Sequence, residues 1–244
     1  SNTAGSAAGY VGAVVERYNA ELRSRAGMAP APLAVESRAW FNPNLETRWN
    51  LLPGMIAALS MVQTLLLTAL SVAREREQGT FDQLLVTPMS PLEIMVGKAL
   101  PPVLVGLVQS SLVLLVARFW FGIPMAGSLF TLYTGLVFFT VASVGIGLSI
   151  SAVSANMQQA MLYTFVLLMP MMLLSGLTTP VRNMPELLQM ATLANPLRFA
   201  IDLVQRVYLE GVGLSTVAAN LVPLSVIAVV TLPLAAWLFR NRLA

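Results

Sequence analysis

The stretch FWFGIPMAGSLFTLYTGLVFFTVASVGIGLSISAVSANMQQAMLYTFVLLMPMMLLSGLTTPV, residues 119–181, runs for 63 residues without an Asp, Glu, Lys or Arg. A helix needs only about 20 apolar residues to cross a bilayer, so this run has room for two crossings and a turn. A soluble fold of this length could bury a sizeable core, but it would still need a polar exterior. The whole chain agrees: 244 residues are 57% hydrophobic and 10% charged, against roughly 25% charged in an ordinary soluble domain. The fold class predicted is an all-α polytopic membrane protein.

Working outward, the hydropathy pattern predicts five transmembrane helices, near 51–73, 98–120, 128–153, 157–177 and 217–239. Between the third and fourth, Ser149-Ile-Ser-Ala-Val-Ser-Ala-Asn-Met-Gln-Gln159 is polar but uncharged, which suits a tight connection at the membrane surface. Small residues recur in the third span at Ala142, Ser143, Gly145, Gly147, Ser149 and Ser151. Such spacing lets helix backbones approach closely, and packing inside the bundle is a simpler reading than a dimer seam. Residues 178–216 are amphipathic and divided by Thr179-Pro180, Met184-Pro185 and Asn195-Pro196; the last piece carries Arg198, Asp202, Gln205 and Arg206 along one helical face. This segment reads first as an interfacial helix lying flat, and second as a re-entrant hairpin whose polar backbone protein or water would cover.

Composition removes several chemistries. With no Cys and no His, ordinary zinc sites and Ser-His or Cys-His nucleophile pairs are excluded. The net charge of +3 is spread along the chain, and no Lys/Arg cluster interleaves with aromatics, so nucleic acid is not an expected partner. No ionisable residue lies deep in a span, which argues against a proton-relay antiporter.

Residues 1–50 differ in character, holding 9 of the 25 charges. Ser1-Asn-Thr-Ala-Gly-Ser6 has neither the basic nor the apolar region of a signal peptide and reads as the front of a trimmed chain. Tyr10 to Arg25 has helical spacing, with Val11, Val14, Val15, Tyr18 and Leu22 on one side. Met28-Ala-Pro-Ala-Pro32 breaks that helix, Leu33 to Phe41 reads as a strand and Asn42-Pro-Asn44 as a turn. Fifty such residues bury too little to stand alone, and are expected to be the C-terminal remnant of a larger soluble domain.

The charge missing from the spans collects in an island, Arg74-Glu-Arg-Glu-Gln-Gly-Thr80, continuing to Lys98. Uncharged runs flank it, Trp49 to Ala73 and Ala99 to Ala117. Gly79 can end the first helix. Thr80 and Gln83 have capping-box spacing, Phe81, Leu84 and Leu85 give a short amphipathic helix, and Thr87-Pro88 stops it. Ser90-Pro91-Leu92-Glu93 is a second capping box that starts the next span. The sequence thus specifies a helix, a short transverse helix and a helix, an elbow suited to taking force from a docked partner.

Ala73-Arg-Glu-Arg-Glu-Gln-Gly-Thr-Phe-Asp-Gln-Leu-Leu-Val-Thr-Pro-Met-Ser-Pro91, followed by Gly97-Lys98, closely resembles the first cytoplasmic loop of ABC-2 type transporter permeases. Phe41-Asn-Pro-Asn-Leu45 running into Asn50-Leu-Leu-Pro-Gly54, and Asn195-Pro-Leu-Arg198, are similar to two further segments of that family. The resemblance covers about residues 40–244. It implies a six-span permease of the bacterial cytoplasmic (inner) membrane, with a large extracytoplasmic domain between spans one and two. Residues 1–50 would then be the end of that α/β domain, residues 51–244 the transmembrane domain, 74–97 a cytoplasmic coupling loop and 178–216 extracytoplasmic. This settles an orientation that the loop charges, five Lys/Arg on one side against four on the other, leave open.

The resemblance also implies an exporter driven by ATP. No G-x-x-x-x-G-K-[ST] occurs here, so ATP and Mg are expected on a separate cytoplasmic ATPase and the chain itself is expected to be neither catalytic nor cofactor-bound. Thr80 to Thr87 would be the coupling helix, with Phe81, Leu84 and Leu85 as apolar anchors and Arg74, Glu75, Arg76, Glu77 and Asp82 as a charged collar. Gly79, Pro88 and Lys98 complete the coupling set. A second permease subunit, identical or not, and membrane lipid are the other expected partners. Candidates for lining the pathway are Gln63, Thr64, Thr68, Asn156, Gln158, Tyr163 and Thr164, for which interhelical hydrogen bonding is an equally good reading. The alternative function is a membrane scaffold or receptor that recruits a cytoplasmic partner without transport.

Overall fold

The computed structural model describes residues 11, 12, 14, 15, 17, 18, 21, 47–80 and 91–242. The chain divides between Asn50 and Leu51 into two units. In the first, the described residues from Val11 to Glu21 are helical, and Val11, Val14 and Tyr18 are exposed. The expected strand at 33–41 and turn at 42–44, and with them the α/β remnant, lie outside the described residues, which contain no strand.

The long helices are α1 (Thr47–Glu77), α2 (Pro91–Leu115, continued by a π-helical turn over Val116–Trp120), α3 (Leu129–Val153) and α4 (Met157–Leu173). Two short helices follow, α5 (Glu186–Ala191) and α6 (Pro196–Gln205, continued by a π-helical turn over Arg206–Glu210), then α7 (Leu214–Arg242). Four of these, not five, are long and apolar enough to cross a membrane among the described residues: Leu51–Glu77, Glu93–Trp120, Leu129–Val153 and Leu214–Arg240. The fourth expected span is the 17-residue α4. At 1.5 Å per residue it reaches about 26 Å, short of a hydrocarbon core of roughly 30 Å. Its end precedes a reversal at Gly176, whose φ of +90° only glycine adopts without strain.

α3 is the centre of the bundle. Thr131, Leu132, Leu136, Phe139, Ala142, Val144, Leu148 and Ala152 are all buried, on every face of the helix. Its small residues set the approach of its neighbours. A Cβ at Gly145 would overlap Thr231 Oγ1 of α7, and one at Gly147 would lie 2.7 Å from Thr68 Cβ of α1. Ser111 of α2 and Tyr133 of α3 share a hydrogen bond of 2.6 Å. The expected small-residue stripe is therefore spent inside the subunit.

The amphipathic piece is built into the bundle rather than lying free. Leu197, Ala200, Ile201, Leu203 and Val204 are buried, and Leu203 closes over Gly135 of α3. Asn195 caps α6 by accepting from Leu197 N, and donates to Met171 O at the end of α4. Asn220 of α7 donates to Phe199 O and to Asp202 Oδ2. Beyond it, the buried Tyr208 hydroxyl donates to Ile123 O; burial pushes this phenol above its ordinary value, against a smaller lowering by Arg118.

The α3–α7 contact is testable. Gly145→Leu forces the two helices apart and should lower stability by about 1–3 kcal/mol, as overpacking does. Gly97→Ala meets no neighbour within 4 Å, and in the interior of α2 should be neutral or gain up to about 1 kcal/mol. Thermal unfolding of the purified protein in detergent checks both, and equal losses would contradict this packing.

Candidate coupling site

α1 does not stop at the membrane-apolar limit near residue 73 but runs helical through the charged island to Glu77. Gly79, at φ +70°, then reverses the chain. Thr80 N donates to Glu75 O at 3.0 Å and Gly79 N to Arg76 O at 3.2 Å. These two bonds are the paired closure of a Schellman end, which satisfies carbonyls that the helix itself leaves open. The Thr80 hydroxyl also turns back to Glu75 O, at 3.3 Å. The expected short helix and its residues Phe81, Asp82, Leu84, Leu85, Thr87 and Pro88 lie outside the described residues.

The charges of the last turn are used one by one. Glu75 accepts from Lys98 Nζ at 2.5 Å, tying the end of α1 to the start of α2. Arg76 Nη1 donates to Ala152 O at 3.0 Å and to Ser154 O at 3.1 Å. Glu77 Oε2 accepts from Met157 N at 2.9 Å. Arginine thus sits on the closing carbonyls of α3 and glutamate on the opening amide of α4. Each charge meets the helix end whose dipole favours it. Arg74 is exposed, as are Glu77, Gln78 and Thr80, while Glu75 and Arg76 are half-buried.

One turn earlier, Ser151 of α3 reaches into α1. Its hydroxyl donates to Ala69 O at 2.6 Å and lies 3.1 Å and 3.3 Å from the donating amides of Val72 and Ala73. Below it, Val72, Ala152 and Phe239 of α7 form a small buried apolar cluster. The site is therefore a knot in which the ends of α1, α3 and α7 and the starts of α2 and α4 meet.

The pathway candidates are divided between α1 and the first half of α4 with its cap. Gln63 is half-buried, while Thr64 and Thr68 are fully buried in α1. Thr68 donates to Thr64 O at 2.6 Å, and the Thr64 hydroxyl, which faces Gly106 of α2, has no hydrogen-bond partner. Thr164 is buried and donates to Ala160 O at 2.7 Å. Asn156 is the exposed N-cap of α4, accepting from Gln159 N at 2.8 Å. Tyr163 accepts from Gln159 Nε2 at 2.7 Å, and Gln158 is exposed. Helix capping and local bonding account for Thr68, Asn156, Tyr163 and Thr164. Sequence reading missed Ser151, Ser154 and the Met157 amide as partners of the island. The Asn156-Met-Gln-Gln159 cap signature, an N-cap residue with Gln three positions on, was the available sign that a helix start stood there.

The Glu75–Lys98 pair is largely buried, and Glu75 Oε2 has no hydrogen-bond partner. Lys98→Met should therefore lower stability by about 2 kcal/mol, because it strands a carboxylate in a low-dielectric site. Adding Glu75→Gln should recover most of that loss in the same unfolding measurement. Additive losses would contradict a direct pair.

Compared with known proteins, residues 1–237 match a family described as ABC-2 family transporter protein. The chain is 41% identical over 244 residues to the probable multidrug ABC transporter permease YbhR of Escherichia coli, covering 99% of this chain and 66% of that protein. It is 32% identical over 214 residues to the inner membrane transport permease YhhJ of Escherichia coli, covering 86% of this chain and 57% of the relative. With ABC transporter G family member 20 of Dictyostelium discoideum it shares 27% identity over 173 residues, 71% of this chain and 24% of the relative. The chain thus spans less than two thirds of the length of each. With a match over nearly its whole length and four apolar helices of membrane-crossing size, the chain belongs to the ABC-2 family of transporter permeases.

Proposed function

We propose that this chain is the permease part of an ATP-driven exporter, and that residues 74–98 take the force of a separate cytoplasmic ATPase. The observation that carries this reading is the fastening of the island: Glu75, Arg76 and Glu77 are bonded to α2, α3 and α4. A surface loop that only linked two spans would not need to hold three other helix ends. The helices on either side of residues 80–90 are both anchored, so a push passed to either helix end reaches the bundle. Phe81, Leu84 and Leu85 are the apolar anchors for the ATPase, and the exposed Arg74, together with Asp82, forms the outer charged rim. Glu75, Arg76 and Glu77 brace the elbow through their bonds to α2, α3 and α4.

The orientation follows from the same reading, with the elbow, the α3–α4 turn and the end of α7 in the cytoplasm and α5 and α6 outside. Residues 1–50 belong to the outer domain. The protein works as a pair with a second permease subunit in a bacterial inner membrane, the membrane named for YhhJ. Its cargo is drug-like or lipid-like, as the multidrug description of YbhR supports, and Gln63 and Thr64 on α1 are the residues we place nearest the route.

Replacing Phe81 and Leu84 with Asp in the full-length protein should leave membrane insertion intact. Co-purification with the ATPase should fall at least about tenfold, equivalent to about 1.4 kcal/mol. Undiminished co-purification would refute the elbow as the receiver. Intact nucleotide-independent binding of another cytoplasmic protein at the same residues would favour a scaffold.

A further inference from the structure

A push on residues 80–90 enters the bundle through the last turn of α1, and that turn holds more than its own helix. Three separate attachments join it to the junction of α3 and α4. The Ser151 hydroxyl bonds Ala69 O and the amides above it. The Arg76 guanidinium bridges Ala152 O and Ser154 O, and the Glu77 carboxylate takes the Met157 amide. The two carbonyls and the amide stand at helix ends, where backbone groups lack helical partners. The junction itself is only Ser154, Ala155 and Asn156 long. It is stiffened by Asn156 on Gln159 N and by Gln159 Oε1 on Ala155 N.

We infer that the α3–α4 turn and the last turn of α1 move as one body, with Arg76 and Glu77 as positioning residues that carry movement of that turn into α3 and α4. This rests on the proposed coupling function. The chemistry explains why both signs stand side by side. A cation alone would hold the end of α3, and an anion alone the start of α4. Arg76 and Glu77 together grip both sides of a three-residue turn, so it cannot hinge independently of them. α3 packs against α1, α2, α6 and α7, which makes it the helix through which a small tilt reaches the largest part of the bundle.

This chain has no cysteine, so with any cysteine elsewhere in the full-length protein replaced, spin labels are placed at Gln78→Cys and Ala155→Cys, both exposed and on either side of the clasp. A second pair, Gln78→Cys with Ser215→Cys, reports on the opposite end of α7. The labelled full-length protein, diluted with unlabelled protein and bound to its ATPase in nanodiscs, is measured without nucleotide and with ATP and vanadate. The 78–155 distance should stay within about 2 Å, the scale of an ordinary helix shift, while the 78–215 distance changes by more. In Arg76→Met/Glu77→Leu the 78–155 distance should broaden or follow the nucleotide, and Arg76→Lys/Glu77→Gln should narrow it again. A wild-type 78–155 distance that changes as much as 78–215 overturns the inference, as does a double variant as invariant as the wild type. If the double variant does not fold, the wild-type pairs still decide. If neither pair responds to nucleotide, the coupling role of the elbow fails as well.

Discussion

The grip of Arg76 and Glu77 on the junction between α3 and α4 is the contact on which the working end of this protein depends. Within a bilayer a helix keeps its backbone bonds to itself, and only its ends must find outside partners. Here one helix supplies partners for two others. The guanidinium answers two carbonyls of α3 and the neighbouring carboxylate answers the first amide of α4. The next residue back, Glu75, holds Lys98 of α2. Three consecutive charges therefore fix four helices relative to one another, at the border where charge can still be tolerated.

Farther into the membrane the constraint changes from charge to size. Lipid gives helices no hydrophobic reason to associate, so close backbone approach and hydroxyl bonds must do it. α3 meets that need with Gly145 against Thr231, Gly147 against Thr68 and Gly135 against Leu203. Its position explains why α6 can be short: it closes over the start of α3 with an apolar face, and its polar face is bonded within itself and to Asn220. The charged knot at one end and the cover at the other thus meet on one central helix.

Much of this was legible in residue order, and the failures have physical causes. The 63-residue uncharged run was enough for a helical membrane protein, because charge and length are local properties. Gly79 announced its helix end, since few residues but glycine accept that backbone. The fourth expected span runs past its helix, because hydropathy continues to Leu177 while α4 ends at Leu173, ahead of the reversal at Gly176. The partners of Arg76 and Glu77 were not legible, because they are backbone atoms of residues about 80 positions away and any side chain could carry them. Asn156 and Tyr163 differ in this respect, since both bond to Gln159 within four residues.

The central claim is that force enters at the elbow. Hydrogen–deuterium exchange of the full-length permease, with and without its ATPase, tests this most directly, because the amides of residues 78–92 report contact without any need to know the cargo. The account predicts slowed exchange over 78–92 when the ATPase binds, with residues 178–195 unchanged. A footprint that leaves 78–92 unchanged would contradict it.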